Sequence, residues 1–173
     1  SPGQGSNKAA IGGIRATHSA RSKIRLCIES LQVFSTWEET YGDDIEWHRG
    51  GYSFVAYRER EEEALKDLLD VQHGFGLEIK WLNRDDLLDV IPSLNRNNLI
   101  GGTYSPNDGS ASPLLSAHAF YKRAAEQGAR FHFNERVTGI ITRRGKVVGV
   151  RTDRGGYATE TVINAAGAWG RQA

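Results

Sequence analysis

The sequence predicts a mixed α/β fold that includes a small antiparallel meander. Apolar residues recur at every third or fourth position over 18–41, which is the spacing of a long amphipathic helix. After residue 130, short apolar stretches alternate with turn-forming residues, as they do in a meander of strands. The apolar segment 161–164 is predicted to be a strand that ends in a turn of small residues at 165–170, an arrangement that lets backbone approach a ligand at the edge of a parallel sheet.

The first 110 residues are predicted to alternate between helices and short strands. Residues 1–17 are rich in Gly, Ser and Ala, which favours a loop packed against another surface. The helix over 18–41 ends at Gly42, and a hairpin of two strands, 45–47 and 52–57, is predicted around the glycine turn at 49–51. The elements predicted next are a surface helix over 59–72, a strand over 78–82, a helix over 85–90 capped by Asn83, and a strand over 99–104.

The remaining elements follow a segment of turn formers at 105–110, which we interpret as a crossing between domains. Ser112 and Pro113 are predicted to begin a helix that runs to Gly128, because serine caps helices and proline suits their first turn. The strands of the predicted meander are 130–133, 137–142, 147–152 and 157–162.

Composition and charge exclude several classes of function. With 22 basic and 21 acidic residues, the chain offers no electrostatic case for nucleic acid or an anionic membrane as partner. No apolar run reaches the roughly 18 residues of a transmembrane span. The histidines lack metal-ligand spacing and no Ser/His/Asp order stands out, so neither a metal site nor a catalytic triad is expected. The single cysteine, Cys27, cannot form an internal disulfide, which makes the cytoplasm the expected compartment.

Three segments, in this order, resemble the D-amino-acid oxidase-like superfamily of flavoproteins, especially the branch of glycine oxidase, sarcosine oxidase, and dimethylglycine and proline dehydrogenases. The first is the glycine- and alanine-rich stretch 5–15. The second is 108–113 with the helix that follows, the segment 128–131 and Val137. The third is 162–169, which reads VINAAGAW. The order of the segments makes the resemblance fairly specific, whereas a lone glycine pair would be a weak signal.

The resemblance implies FAD as cofactor and a two-domain oxidoreductase. Residues 1–42 and 111–173 would form an incomplete, Rossmann-like FAD-binding domain, and residues 43–110 part of a substrate domain built on an antiparallel sheet. The GxGxxG turn and the acidic ribose ligand that bind the ADP half of FAD in relatives are absent from this sequence. We therefore expect the chain to be an internal fragment with weak or no activity of its own.

The resemblance also implies the residues of the cofactor site. Glycines in the first segment would turn backbone N–H groups toward phosphate, and Ser6 could donate a hydrogen bond to it. Arg15 is expected beside the flavin ring and is the predicted catalytic residue, while the backbone at Val137 is expected to hold the adenine. The predicted cofactor-binding set is Ser6, Asn7, Lys8, Gly12, Gly13, Ile14, Arg15, Val137, Ala165, Ala166, Gly167 and Trp169.

The first and third of these segments also have a purely structural interpretation. The stretch 5–15 is compatible with a surface loop, and 165–170 with a tight turn in a core. Tyr52 and Phe54 alternate on a predicted strand and are candidates for a substrate-binding wall, although residues that only pack would show the same pattern.

The reaction implied by the resemblance is oxidation of the C–N bond of an amino acid or a secondary amine, similar to sarcosine, glycine or proline. A hydride would pass to the flavin, water would hydrolyse the imine, and the electrons would go to oxygen or another redox carrier. Two alternatives stay open: an FAD-dependent dehydrogenase of a hydroxyl substrate, such as glycerol phosphate or a 2-hydroxyacid, and a non-catalytic interaction module that kept the fold. An oligomer or a multi-subunit complex is compatible with each of these functions.

Overall fold

The computed structural model describes residues 2–170 and divides them into two compact units, with the boundary between Glu126 and Gln127. Helices and antiparallel strands alternate in the first unit, and the second is built on a small antiparallel sheet. The predicted mixed α/β class and the predicted meander are thereby confirmed. The division of the chain into parts of a cofactor domain and a substrate domain stays a prediction.

The strands of the first unit form two antiparallel sheets. Strands β2 (Tyr52–Ala56), β3 (Lys80–Asn83) and β4 (Gly101–Ser105) make the larger sheet, with β4 in the middle. Strands β1 (Gly13–Ile14) and β5 (Gly109–Ser110) form a two-residue pair. The loop predicted over 1–17 thus contains a short strand, and a 3₁₀ turn also covers Ser6–Ala9.

The described part of the first unit contains five α-helices. They are α1 (Arg21–Ser35), α2 (Trp37–Tyr41), α3 (Glu59–His73), α4 (Arg84–Val90) and α5 (Pro113–Glu126). Of the helices that the structure describes, none is long and apolar enough to cross a membrane.

The prediction of a single helix over 18–41 is wrong in one respect. In the structure the helical segment is interrupted at Thr36, between α1 and α2. The Thr36 hydroxyl donates to the Gln32 carbonyl over 2.9 Å, and the Ser35 hydroxyl donates to the same oxygen over 3.2 Å. Side-chain bonds of this kind compete with the backbone bonds of a helix. The apolar periodicity continues across the break, which explains why the sequence predicts one helix.

The first unit has two clusters of buried apolar residues. One joins Trp37 of α2 and Ile45 to Ala111 and Ala119, which follow β5 in the chain. The other lies between α4 and the larger sheet and consists of Leu82, Leu87, Leu88 and Leu99, with Val55, Tyr57 and Tyr104 packed against it. Burial of a leucine or isoleucine side chain contributes roughly 1.5–3 kcal/mol, so both clusters stabilise the unit.

The predicted hairpin over 45–47 and 52–57 is wrong. Strand β2 pairs with β4, and no strand covers 45–47. Instead, His48 and Ser110 exchange backbone hydrogen bonds of 2.8 and 2.9 Å, and the Ser112 N–H donates to the Ile45 carbonyl. The backbone groups of this segment are therefore satisfied by residues more than 60 positions away, which a local turn pattern does not reveal.

The second unit contains the antiparallel strands β6 (Val137–Arg143), β7 (Lys146–Thr152) and β8 (Gly156–Ala158) in that order. The predicted strand at 130–133 is wrong, and the one at 157–162 ends early. The Thr159 N–H still donates to the Val148 carbonyl of β7 over 3.3 Å, and the Thr159 hydroxyl donates to the Thr161 carbonyl over 2.9 Å, a local bond that competes with further pairing.

The apolar strand predicted at 161–164 is also wrong. No described strand pairs with these residues, and Ile163 is 86% exposed. The turn of small residues that follows contains a 3₁₀ helix over Gly167–Trp169. A strand forms only where a second strand accepts its hydrogen bonds, and an apolar composition alone does not supply that partner.

Candidate functional site

The loop that carries Arg15 is fixed to the end of β5 and to Ala111, the residue after it, by close backbone contact. Gly12 has a φ of +81°, and its carbonyl accepts a 3.0 Å hydrogen bond from the Ala111 N–H. A Cβ atom at Gly12 would lie 2.3 Å from the Ala111 oxygen. Glycine is therefore required both for the positive φ and for the close approach. The pairing of β1 with β5 continues this backbone contact, because Gly13 lies opposite Ser110.

A buried carboxylate holds the next residues of this loop. Asp108 is 0% exposed, and its Oδ1 accepts a 3.0 Å bond from the Ala16 N–H while its Oδ2 accepts a 3.2 Å bond from the Thr17 hydroxyl. Burial raises the pKa of Asp108, and the hydrogen bonds from Ala16, Thr17 and Ser105 oppose that rise only in part. The carboxylate connects the loop to the turn between β4 and β5.

Arg15 lies between its own loop and the face of the larger sheet. Its guanidinium donates to the Thr17 carbonyl. The guanidinium carbon is 4.9 Å from the centroid of the Phe54 ring and 5.3 Å from that of Tyr52, distances at which cation–π attraction operates. The two rings are 5.4 Å apart on one face of β2. The structure thus brings together the predicted catalytic residue and both predicted substrate-wall residues.

A cavity of about 220 Å³ lies beside Arg15. Phe54 and Thr103 of the sheet, His18 of the loop and Gln72 of α3 contribute to its wall. The Gln72 amide donates to the His18 carbonyl over 3.2 Å, whereas its carbonyl oxygen is buried without a hydrogen-bond partner. Burial lowers the pKa of His18, and the nearby Arg15 charge lowers it further. The cavity therefore offers a cation, an aromatic face and a histidine that favours its neutral form.

A second cavity, of about 280 Å³, is lined by four of the predicted cofactor-binding residues: Asn7, Gly12, Gly13 and Ile14. Its opposite wall includes Ser116 of α5, whose buried hydroxyl has no hydrogen-bond partner. Glycines on one wall leave backbone accessible, and an unpartnered buried hydroxyl costs free energy until a polar group meets it. This combination fits a cofactor that has both flat apolar surface and hydrogen-bonding groups, as FAD has.

Not all the predicted cofactor-binding residues take part in these contacts. Ser6 and Lys8 are exposed on the 3₁₀ turn and line neither of the two cavities. Val137 is the first residue of β6 in the second unit. The 3₁₀ helix of that unit and the residues just before it contain four more members of the set, all of them exposed: Ala165, Ala166, Gly167 and Trp169, the last to 56%. A role in FAD binding stays a prediction for every residue of the set. Within residues 2–170, no group of three or more His, Cys, Asp or Glu side chains could hold a metal ion.

Asp108, Gln72 and Ser116 were not among the residues that the sequence singled out for the site. Asp108 stands in the turn-rich segment 105–110, where an acidic residue is usually explained by the turn itself. Gln72 and Ser116 lie on helices, where polar residues usually face solvent. Two sequence signals were present: Asp108 is the first residue of the second resemblance segment, 108–113, and Ser116 falls on the same helix face as the apolar Ala119 and Phe120, at three- and four-residue spacing.

The chain is similar to known flavoproteins along its whole length. The sequence model of the family described as FAD dependent oxidoreductase matches residues 1–173. Mitochondrial sarcosine dehydrogenase of Mus musculus is 29% identical over 153 residues, which are 85% of this chain and 17% of that protein.

Two solved structures are similar as well. L-proline dehydrogenase from P. horikoshii is 27% identical with a TM-score of 0.89, over 97% of this chain and 44% of that chain. Glycine oxidase from Geobacillus kaustophilus is 27% identical with a TM-score of 0.83, over 98% of this chain and 47% of that chain. This chain spans less than half the length of each of these three relatives.

Proposed function

The chain belongs to the family of FAD-dependent oxidoreductases, and from this premise we propose that the protein oxidises the carbon–nitrogen bond of an amino acid or a secondary amine. The relatives support this choice, because their names give sarcosine, L-proline and glycine as the compounds on which they act. Each of these compounds carries a carboxylate close to an amine. A protein that handles them needs a fixed cation for the carboxylate and a less polar surface beside the reacting carbon.

The observation that carries the proposal is the placement of Arg15. Its guanidinium is held by the Thr17 carbonyl and lies over the rings of Tyr52 and Phe54 at the edge of a cavity. Arginine stays charged in proteins and binds carboxylates through two parallel hydrogen bonds. We assign to Arg15 the binding of the substrate carboxylate, or of negative charge on the cofactor. Tyr52 and Phe54 then orient the apolar part of the substrate and exclude water from it.

FAD, when bound, supplies the acceptor for the hydride. The residues of the first unit that we propose to hold it are Asn7, Gly12, Gly13 and Ile14, with Ser6 and Lys8 on the phosphate side. In the second unit the proposed contacts are Val137, Ala165, Ala166, Gly167 and Trp169. Oxygen or another redox carrier is the proposed electron acceptor, and the cytoplasm the proposed location.

The proposal is tested with the full-length protein, purified and saturated with FAD. Under anaerobic conditions, sarcosine, L-proline or glycine is expected to bleach the flavin absorbance, whereas glycerol phosphate and a 2-hydroxyacid are not. Bleaching only by a hydroxyl compound would replace the proposal with the dehydrogenase alternative. A protein that retains no flavin absorbance after unbound FAD has been removed would favour the non-catalytic module.

The assignment of Arg15 is tested with the variant Arg15→Gln. Its affinity for a substrate carboxylate is expected to fall about 10–100-fold, the size associated with losing hydrogen bonds to a charged group. The matched control is Arg25→Gln, because Arg25 is an exposed arginine of α1 in the same unit. If the two variants bind the carboxylate equally well, Arg15 does not have this role.

A further inference from the structure

We propose that Asp108 is a positioning residue for this site, one that holds Arg15 and the aromatic rings beneath it in a fixed relation. The proposal rests on the function proposed above. Asp108 is fully buried and both of its carboxylate oxygens bond to the Arg15 loop, so we assign it no contact with the substrate.

The first part of the argument concerns the backbone of the loop. The Ala16 N–H, which donates to Asp108 Oδ1, belongs to the peptide bond directly after Arg15. Fixing this peptide plane restricts the ψ angle of Arg15 and therefore the direction in which its side chain leaves the loop. The carboxylate thus limits the positions that the guanidinium can reach.

The second part concerns the guanidinium itself. Arg15 donates to the carbonyl of Thr17, and the hydroxyl of the same Thr17 donates to Asp108 Oδ2. The residue that accepts from the cation is therefore held by the carboxylate as well. Without the carboxylate, both supports of the Arg15 side chain would lose a hydrogen bond.

The third part concerns the rings below Arg15. The backbone carbonyl of Asp108 accepts a 2.9 Å bond from the Gly51 N–H, and Gly51 directly precedes Tyr52. One residue thereby joins the loop that carries the cation to the start of the strand that carries Tyr52 and Phe54. Gly51 has a φ of +74°, and a Cβ atom there would lie 2.5 Å from the Tyr104 ring, so this end of the strand has little freedom of its own.

The energetic cost of the arrangement supports a functional interpretation. Burying a carboxylate is unfavourable unless hydrogen bonds compensate for its lost hydration, and an apolar pair at the same place would avoid the cost. Here two of the three donors, the Ala16 N–H and the Thr17 hydroxyl, come from the loop of Arg15, and Arg15 carries the compensating charge, while Ser105 of β4 is the third donor. Most of the compensation for the buried charge therefore comes from the segment that needs to be fixed.

The test is a double-mutant cycle in the full-length protein loaded with FAD. The variants are Asp108→Asn, Arg15→Gln and the two combined, and acetate serves as a probe that binds through its carboxylate alone. Its dissociation constant is measured from the change it causes in the flavin absorbance. Asp108→Asn is expected to weaken acetate binding about tenfold, as the loss of bonds to a charged group does. In the Arg15→Gln background it is expected to have no further effect, because a positioning residue acts only through the residue it positions.

A second variant covers the case in which Asp108→Asn does not fold. Thr17→Val keeps the shape of the side chain and removes only its hydroxyl bond to Asp108, and we expect it to weaken acetate binding about threefold, again only when Arg15 is present. Asp70→Asn, at an exposed position on α3, is the control and should leave the affinity unchanged.

The outcomes separate this inference from the function on which it rests. If the unaltered protein binds neither FAD nor acetate, the proposed function fails. If it binds both and Arg15→Gln weakens acetate binding, but the Asp108 and Thr17 variants have no effect or an additive one, only the inference about Asp108 is overturned.

Discussion

Replacement of Gly12 by alanine tests whether the Arg15 loop is held to Ala111, the residue after β5, by close backbone contact. The alanine Cβ would stand 2.3 Å from the Ala111 carbonyl oxygen, and the residue would keep a φ of +81°. The Ala111 N–H also donates to the Gly12 carbonyl, so the loop cannot move away without losing that hydrogen bond. The substitution therefore adds two separate costs to the folded state.

The magnitude follows from these two costs. A left-handed backbone conformation costs an L-residue about 1–2 kcal/mol. Forcing a methyl group against a backbone atom costs about 1–3 kcal/mol, because the surrounding structure has to shift. The expected loss in the free energy of unfolding is the sum, about 2–5 kcal/mol.

Two other glycines of the first unit separate the costs. Gly42 has a φ of +75°, and a methyl group on its Cα would have nothing within 4 Å, so Gly42→Ala should lose only the backbone cost, about 1–2 kcal/mol. Gly5 has neither a positive φ nor a neighbour within 4 Å, and Gly5→Ala should change stability by less than about 0.5 kcal/mol.

The assay is urea unfolding followed by tryptophan fluorescence, with the free energy of unfolding taken from the midpoint and the slope. Trp37 is buried in the first unit and reports on its unfolding. A loss for Gly12→Ala no larger than that for Gly42→Ala would refute the reasoning, since contact with Ala111 would then contribute nothing.

Two further predictions concern the core and the pH dependence of stability. Leu87 is 0% exposed, whereas Leu26 is 66% exposed. In the same urea assay, Leu87→Ala should lower the free energy of unfolding by about 2–5 kcal/mol and Leu26→Ala by less than about 0.5 kcal/mol. Similar losses for the two variants would contradict the packing described for α4. Hydrogen bonds from Lys122 and Arg123 lower the pKa of Asp43, so the unfolded carboxyl takes up a proton at a higher pH than the folded one. The stability difference between the unaltered protein and Asp43→Asn should therefore be full at neutral pH and shrink as the pH falls below about 4, and a difference independent of pH would show that the ion pair does not contribute.

Elements governed by local interactions were predictable from the sequence. Helix α3 was predicted over 59–72 and covers Glu59–His73, because its apolar face and its acidic first turn are properties of neighbouring residues. The Asn83 cap of α4 is confirmed, since its side-chain oxygen accepts bonds of 2.9 and 3.0 Å from the Asp85 and Asp86 N–H groups. Strands β6 and β7 were predicted within one residue at each end, because a glycine turn joins them directly.

Elements that depend on distant partners were not predictable in the same way. Residues 45–47 and 161–164 have the composition of strands but do not form them. The Ile45 carbonyl accepts from the Ser112 N–H, which lies far along the chain, and no described strand pairs with 161–164. Residues 130–133 have alternating side chains, yet the described strands of the second unit pair only with one another.

For the site, the sequence by itself determined the family and the cofactor expected for it, because these depend on residue types in a fixed order; a role for the loop at Gly12–Arg15 in the site stays a prediction. Only the tertiary structure decided that Arg15 lies over Tyr52 and Phe54, and that Asp108 holds the loop from 91 and 92 residues away. The physical reason is that a buried charge acquires its function from the donors that surround it, and folding, not sequence order, brings those donors together.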